Sequence, residues 1–149
     1  MAEKDAALAD MLCFSLYSAE HAFTQLYRSL LTDLGVTYPQ YLVMVLLWAR
    51  DGRTVRDIGR ALHLKSNTLT PLLKRLEAMQ LIARRRDAED ERSVRISLTE
   101  RGSAMRDHAP DIHKCVAEAT GLSARELKQA TEIVDRLRDR VMAAPLPNR

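Results

Sequence analysis

The chain has 149 residues, 46% hydrophobic and 29% charged, with a formal net charge of +3 and five scattered glycines. That length supports one domain or a closely joined pair around a real core, and the scattered glycines exclude a Gly-rich phosphate loop. The longest apolar run, Tyr41 to Ala49, is far short of the about 20 residues a membrane helix needs, and the acidic start MAEKDAALAD is unlike a secretory leader, so a cytoplasmic protein with no membrane partner is expected.

The first predicted element is a long helix over residues 6–33, because Leu8, Leu12, Leu16, Ala19, Phe23, Leu26 and Leu30 recur every three or four positions. Gly35 is its natural stop. Tyr38-Pro39 opens a second helix, apolar on nearly all sides and therefore buried, which ends at Asp51-Gly52. Thr54 is a good cap for a third helix, with Val55, Ile58 and Leu62 inward. After the turn Leu62 to Lys65 comes a fourth helix reaching Gln80. Its cap is either Ser66 or Thr70, depending on whether Pro71 sits in the second turn or at the first helical position. Leu69, Leu72, Leu73, Leu76 and Met79 form its core side. Leu81 to Arg86 and Ser93 to Leu98 read as strands around a polar tip, Asp87 to Arg92. Thr99 caps a fifth helix that continues past Pro110 with a kink or break. Ser123 to Glu126 is a full capping box for the last helix, and the tail APLPNR is expected to fray.

A helix-turn-helix followed by a hairpin wing is an arrangement for reading DNA. The charge distribution agrees. Residues 53–106 hold 13 basic and 7 acidic side chains, whereas residues 1–52 hold 3 and 6, and residues 107–149 hold 7 of each. Phosphate binding requires such a local positive field. Candidate DNA-contacting residues are Ser66, Asn67, Thr68, Thr70, Lys74 and Arg75 on the recognition helix, and Arg84, Arg86, Asp90 and Arg92 on the wing. Arg92 can enter a minor groove, braced by Asp90; a surface ion pair between them is the plain alternative.

The wing segment DAEDERSVRISLT carries an Asp-x-Arg followed by Leu-Thr (Asp90, Arg92, Leu98, Thr99) and resembles the wing signature of MarR-family winged-helix regulators. LCFSLYSA, TYPQYLVMVLLW and NTLTPLLKRLE are similar to one branch, the organic-hydroperoxide-sensing (OhrR-type) repressors, and the likeness covers about residues 8–142. It implies an obligate homodimer on pseudo-palindromic operator DNA, induced by an organic hydroperoxide and needing no cofactor.

Cys13 stands among Leu12, Phe14 and Leu16, which by themselves describe a buried, inert thiol. The tyrosines point elsewhere. Tyr17 shares the Cys13 face one turn on. Tyr27 lies near that face but roughly 21 Å along the axis, so it reaches Cys13 only if two copies of the helix pack antiparallel; Tyr38 could join it. Phenolic donors stabilise a thiolate, the species that attacks peroxide. The resemblance implies that Cys13 is the reactive cysteine, that Tyr27 and Tyr38 are its stabilisers, and that Cys115 lies in the region of a resolving cysteine. Tyr17 and Tyr41 have weaker claims. His108, His113 and Cys115 are too far apart on a helix for a metal site, and His21 and His63 read as ordinary polar residues.

The expected architecture is mainly α: a winged helix-turn-helix at residues 37–99 and a helical dimerisation region from residues 1–36 and 100–149. The expected activity is repression, with operator release on Cys13 oxidation. A repressor released by a phenolic or aromatic ligand, with Cys13 passive, is the alternative. A thiol peroxidase is disfavoured, since a basic wing has no use in an enzyme.

Overall fold

A computed structural model of the chain describes Leu8 and residues 10–145. The start of the first expected helix and most of the tail lie outside the described residues. The chain divides into two compact units, residues 1–109 and 110–149.

In the first unit, α1 (Leu12–Leu31) leads into a short 3-10 turn (Thr32–Leu34). Gly35 ends it at φ 68, a left-handed conformation that suits glycine. Helix α2 (Tyr38–Ala49) starts with a reciprocal capping box. The Thr37 hydroxyl accepts from the Gln40 amide, and the Gln40 side chain accepts from the Thr37 amide at 2.8 Å. That pairing is why Gln40 can be buried without cost to its polar groups. Tyr41, Val43, Met44 and Leu47 of α2 are all buried, as its apolar run requires.

A two-residue strand, β1 (Arg53–Thr54), precedes α3 (Val55–Leu62). The strand is not legible in sequence because two residues show no alternation. Thr54 caps α3 as expected, accepting from the Asp57 amide at 3.1 Å. His63 closes α3 in the left-handed region at φ 54, and the Leu64 amide donates back to the Gly59 carbonyl at 2.9 Å. Gly59 is needed here, since a Cβ would lie 3.0 Å from the Leu64 oxygen.

Helix α4 (Ser66–Ala78) corrects the expected caps. Lys65 occupies the N-cap with no side-chain hydrogen bond, so neither Ser66 nor Thr70 caps the helix. Both lie inside it, and Pro71 sits in the second turn. The Lys65 carbonyl accepts from Thr68 and Leu69, both at 3.0 Å, so backbone bonds close the first turn where a side-chain cap is missing. Leu69, Leu73 and Leu76 are buried, while Leu72 and Met79 are half-buried.

Strands β2 (Ile82–Arg86) and β3 (Val94–Leu98) form the wing, and β1 adds to β3 on the other side, giving an antiparallel sheet in the order β1-β3-β2. Ile82 pairs with Leu98 and Arg84 with Ile96, so the face bearing Ile82 and Ile96 is the one turned to the core. Beyond it, α5 (Glu100–Ala104) is capped by Thr99, whose hydroxyl accepts from the Gly102 amide at 3.0 Å. The Trp48 indole N–H donates to the Gly102 carbonyl at 2.9 Å, tying α2 to α5. The expected break falls at a 3-10 turn (Met105–His108) before α6 (Ala109–Thr120).

The second unit holds the rest of α6 and α7 (Ala124–Ala143), which begins with the expected capping box between Ser123 and Glu126. On α7, Ile133, Val134, Val141 and Met142 are exposed large apolar side chains. No single described helix is long and apolar enough to cross a membrane.

Candidate nucleic-acid interface and thiol–phenol residues

The apolar side of α4 is fixed by Leu69, Leu73 and Leu76, and helical period then turns the remaining positions outward. Ser66, Asn67, Thr68, Lys74 and Arg75 are exposed and Thr70 is half-buried. Five of these six side chains are therefore free to enter a groove.

The wing tip is built by its acidic residues. The Asp87 amide donates to the Ser93 carbonyl at 2.9 Å, and the Ser93 amide donates to the Asp90 carbonyl at 2.8 Å. The Asp90 carboxylate accepts from the Arg92 backbone amide at 3.0 Å. This corrects the expected bracing. Asp90 shapes the turn through the main chain of Arg92 and leaves the guanidinium alone, because the short Asx turn points its carboxylate at the backbone. No ion pair involves Arg92 among the described residues, and its side chain is exposed. The wing's ion pair is instead Asp87 with Arg95 at 2.8 Å, and Asp87 is only 8% exposed.

Register decides which wing arginines face outward. Arg84 and Arg86 lie on the face of Ile82 and Ile96; Arg84 is half-buried, and Arg86, next to the wing tip, is exposed. Arg85 pairs with Arg95 on the opposite face, and both are exposed. Neither arginine is among the candidate DNA-contacting residues. Strict alternation from Ile82 would have found them, since residues an odd number of places away must point the other way.

Cys13 is exposed on α1, contrary to what its bulky neighbours alone suggest, because the face of α1 bearing Leu12, Leu16 and Phe23 is itself uncovered in the single chain. Tyr17 is also exposed, its ring 4.3 Å from His21. Tyr27 and Tyr38 come together: their rings stack with centroids 4.0 Å apart and planes 24° apart. Tyr41 lies 6.1 Å from Tyr27 and meets Trp48 edge-on at 5.8 Å. Burial, then the charges of Tyr38 and Tyr41 and a hydrogen bond to Tyr38, push the Tyr27 phenol up to about 12. Burial also raises Tyr38, while the bond from Tyr27 pulls it the other way. Both phenols hold their protons at neutral pH. Cys13 stands fourteen residues before Tyr27 on one continuous helix, roughly 21 Å along the axis, so it does not meet the pair within one chain. Cys115 is exposed on α6 in the second unit.

A recognition helix with a polar outward face, a basic wing and a three-stranded sheet define a winged helix-turn-helix DNA-binding protein. A family model described as "Transcriptional regulator SarA/Rot" matches residues 25–108. The organic hydroperoxide resistance transcriptional regulator of Bacillus subtilis is 47% identical over 122 residues, 82% of this chain and 83% of the relative. A crystal structure of AbfR of Staphylococcus epidermidis superposes with a TM-score of 0.78 at 36% identity, over 93% of this chain and 95% of the other. A structure of reduced AbfR bound to DNA has a TM-score of 0.76 at 34% identity, covering 95% and 100%. The chain belongs to the MarR family of winged-helix regulators. It is a DNA-binding transcriptional regulator, and its relatives are regulators rather than enzymes.

Proposed function

We propose that this regulator is a homodimeric repressor, released from its operator when an organic hydroperoxide oxidises Cys13. The observation that carries the reading is the Tyr27–Tyr38 pair: two stacked phenols that stay protonated, Tyr27 on the same helix as an exposed thiol and Tyr38 at the head of the next, both out of its reach. A second copy of α1, packed antiparallel, brings Cys13 of one chain to the phenols of the other. The uncovered apolar residues of α1 (Leu12, Leu16, Phe23) and α7 (Ile133, Val134, Val141) suit such a pairing, which also matches two-fold operator recognition. Terminal helices would thus serve dimerisation, and residues 37–99 would serve DNA.

The Cys13 thiolate attacks the distal peroxide oxygen and the O–O bond breaks. The alcohol leaves as its oxygen takes up a proton, a role open to a phenol of the partner copy. Sulfur is oxidised by two electrons to a sulfenic acid. A thiol, with Cys115 the candidate in this chain, can then condense with it to a disulfide and release water. On the DNA side, α4 enters the major groove with Asn67, Thr68, Lys74 and Arg75, and the wing carries Arg92 to the minor groove.

Operator binding before and after an organic hydroperoxide, read beside non-reducing electrophoresis, tests this. Cys13→Ser should keep DNA affinity and lose release; release that persists in that variant ends the thiol mechanism. Cys115→Ser should lose the intersubunit disulfide. A second reading, release by a small aromatic ligand, has one observation behind it. A groove of about 410 Å³ lies between α1 and α2, lined by Thr24, Leu31, Val36 and Tyr38, a size that suits a small molecule. Under that reading Cys13→Ser leaves induction intact.

A further inference from the structure

A second groove, of about 450 Å³, lies on the first unit, and its lining includes none of the outward side chains of α4 and none of the wing-tip residues. Four arginines line it: Arg50 from the end of α2, Arg53 from β1, Arg60 from α3 and Arg95 from β3. The only carboxylate in its lining is Asp57. Four guanidiniums against Asp57 and the Asp87 carboxylate that pairs with Arg95 leave a local charge of about two positive, which favours an anion in the space. The arrangement is held in place by the fold. Arg95 is fixed from both sides, by the buried Asp87 carboxylate at 2.8 Å and by the Gly52 carbonyl at 2.8 Å. Arg53 donates to the Arg50 carbonyl at 3.2 Å. Asp57 is itself engaged: the Thr54 hydroxyl holds its carboxyl below the usual range, with Arg60 and Arg53 adding to the effect, so it stays an anion and offsets only one of the four charges.

Position supplies the ligand. Arg95, on β3, follows the wing-tip residue Arg92 by three places in the chain, so the two lie within about 10 Å of each other along the backbone. Duplex DNA presents phosphates about every 3.4 Å along each strand. A wing arginine in the minor groove therefore leaves the flanking backbone within the span of this groove. Arg in a fork suits phosphate oxygens bidentately.

We infer that the groove between β1, α3 and β3 is a phosphate clamp for the DNA backbone flanking the wing, with Arg53 and Arg60 as its exchangeable contacts. The inference rests on the DNA-binding reading of this unit. It adds a sequence-independent contact to the sequence-reading residues of α4.

Duplex affinity measured across a salt series tests it. Arg60→Gln should weaken operator and non-operator duplexes by the same factor and reduce the slope of log K against log salt by about 0.9; Arg53→Gln with Arg60→Gln should reduce it by about twice that. Arg60→Lys should restore most of the slope, because the charge returns. Arg95 is left intact, since it holds Asp87. An unchanged slope in the double variant, while Arg92→Ala does weaken binding, overturns the clamp and leaves the DNA reading standing. Titration with inorganic phosphate separates the other source: saturable phosphate binding lost in Arg60→Gln, with the DNA slope unchanged, makes the groove a free-anion site and also overturns the clamp. A wild-type chain that binds no duplex at low salt ends both readings.

Discussion

Gly102→Ala isolates a contact that no sequence pattern announces. Gly102 is in α5, where alanine would normally be favoured over glycine by about 1 kcal/mol. Here a Cβ would press directly on the Leu81 carbonyl oxygen, lie 3.0 Å from the Leu81 carbonyl carbon and 3.3 Å from Leu98 Cδ2. The obstacle is main chain at the root of β2, so no rotamer change relieves it. That same carbonyl accepts from the Thr99 amide at 3.2 Å, and the Gly102 carbonyl accepts from Trp48. Overpacking of this kind costs about 1–3 kcal/mol, and each weakened hydrogen bond adds about 1 kcal/mol. After the helix gain is subtracted, a net loss of about 2 kcal/mol remains, which for a chain of this size lowers Tm by about 4–8 °C. Thermal and urea unfolding at one fixed chain concentration would measure it. Gly52→Ala is the contrast. Gly52 has φ 68 and no atom within 4 Å of an added Cβ, so its cost of roughly 1–2 kcal/mol is purely conformational, and Gly52→Asn should recover much of it. A Gly102→Ala protein as stable as wild type would refute the packing argument at the wing root.

Asp87→Ala removes the nearly buried carboxylate that holds Arg95 and accepts from the Glu89 amide, and it should cost about 1–2 kcal/mol, discounted because Arg95 is 44% exposed. Amide exchange should rise across residues 86–94; unaltered protection there would show the pair to be passive. Tyr27 ties stability to alkaline pH. Unfolded tyrosine loses its proton near 10.0 and folded Tyr27 near 12, so the stabilisation is fully present below about pH 10 and is lost as pH climbs towards 12. The loss amounts to about 2–3 kcal/mol at most, and Tyr27→Phe should flatten that part of the stability–pH curve. Identical curves would place the phenol in solvent. Ile133→Glu puts a charge on the uncovered face of α7, where Ile133 is 55% exposed. If the proposed dimer uses this face, sedimentation should show it shifting to monomer with α7 still helical, and an unchanged sedimentation profile would move the interface elsewhere.

The elements of local origin could be read from residue order. Thr37, Thr54, Thr99 and Ser123 act as caps because a hydroxyl beside its own backbone amides needs nothing from the rest of the fold. The leucines of α4 and the alternation of β3 set their faces by period alone. The outward position of Ser66, Asn67, Thr68, Lys74 and Arg75 followed from that periodicity, and the exposure of Arg92 from its place in the polar tip. Contacts between distant segments could not be read this way. Strand β1 exists only because β3 offers it hydrogen bonds, and its two residues carry no signal of their own. Lys65 caps α4 by main-chain geometry, which side-chain preference does not reveal. Asp87 rather than Asp90 took the ion pair, because only the folded hairpin brings Arg95 back to it. The stacking of Tyr27 on Tyr38 and the meeting of four arginines from α2, β1, α3 and β3 are likewise products of packing. Periodicity and capping are short-range properties written along the chain, whereas proximity across tens of residues is decided only when the core closes and fixes which faces meet.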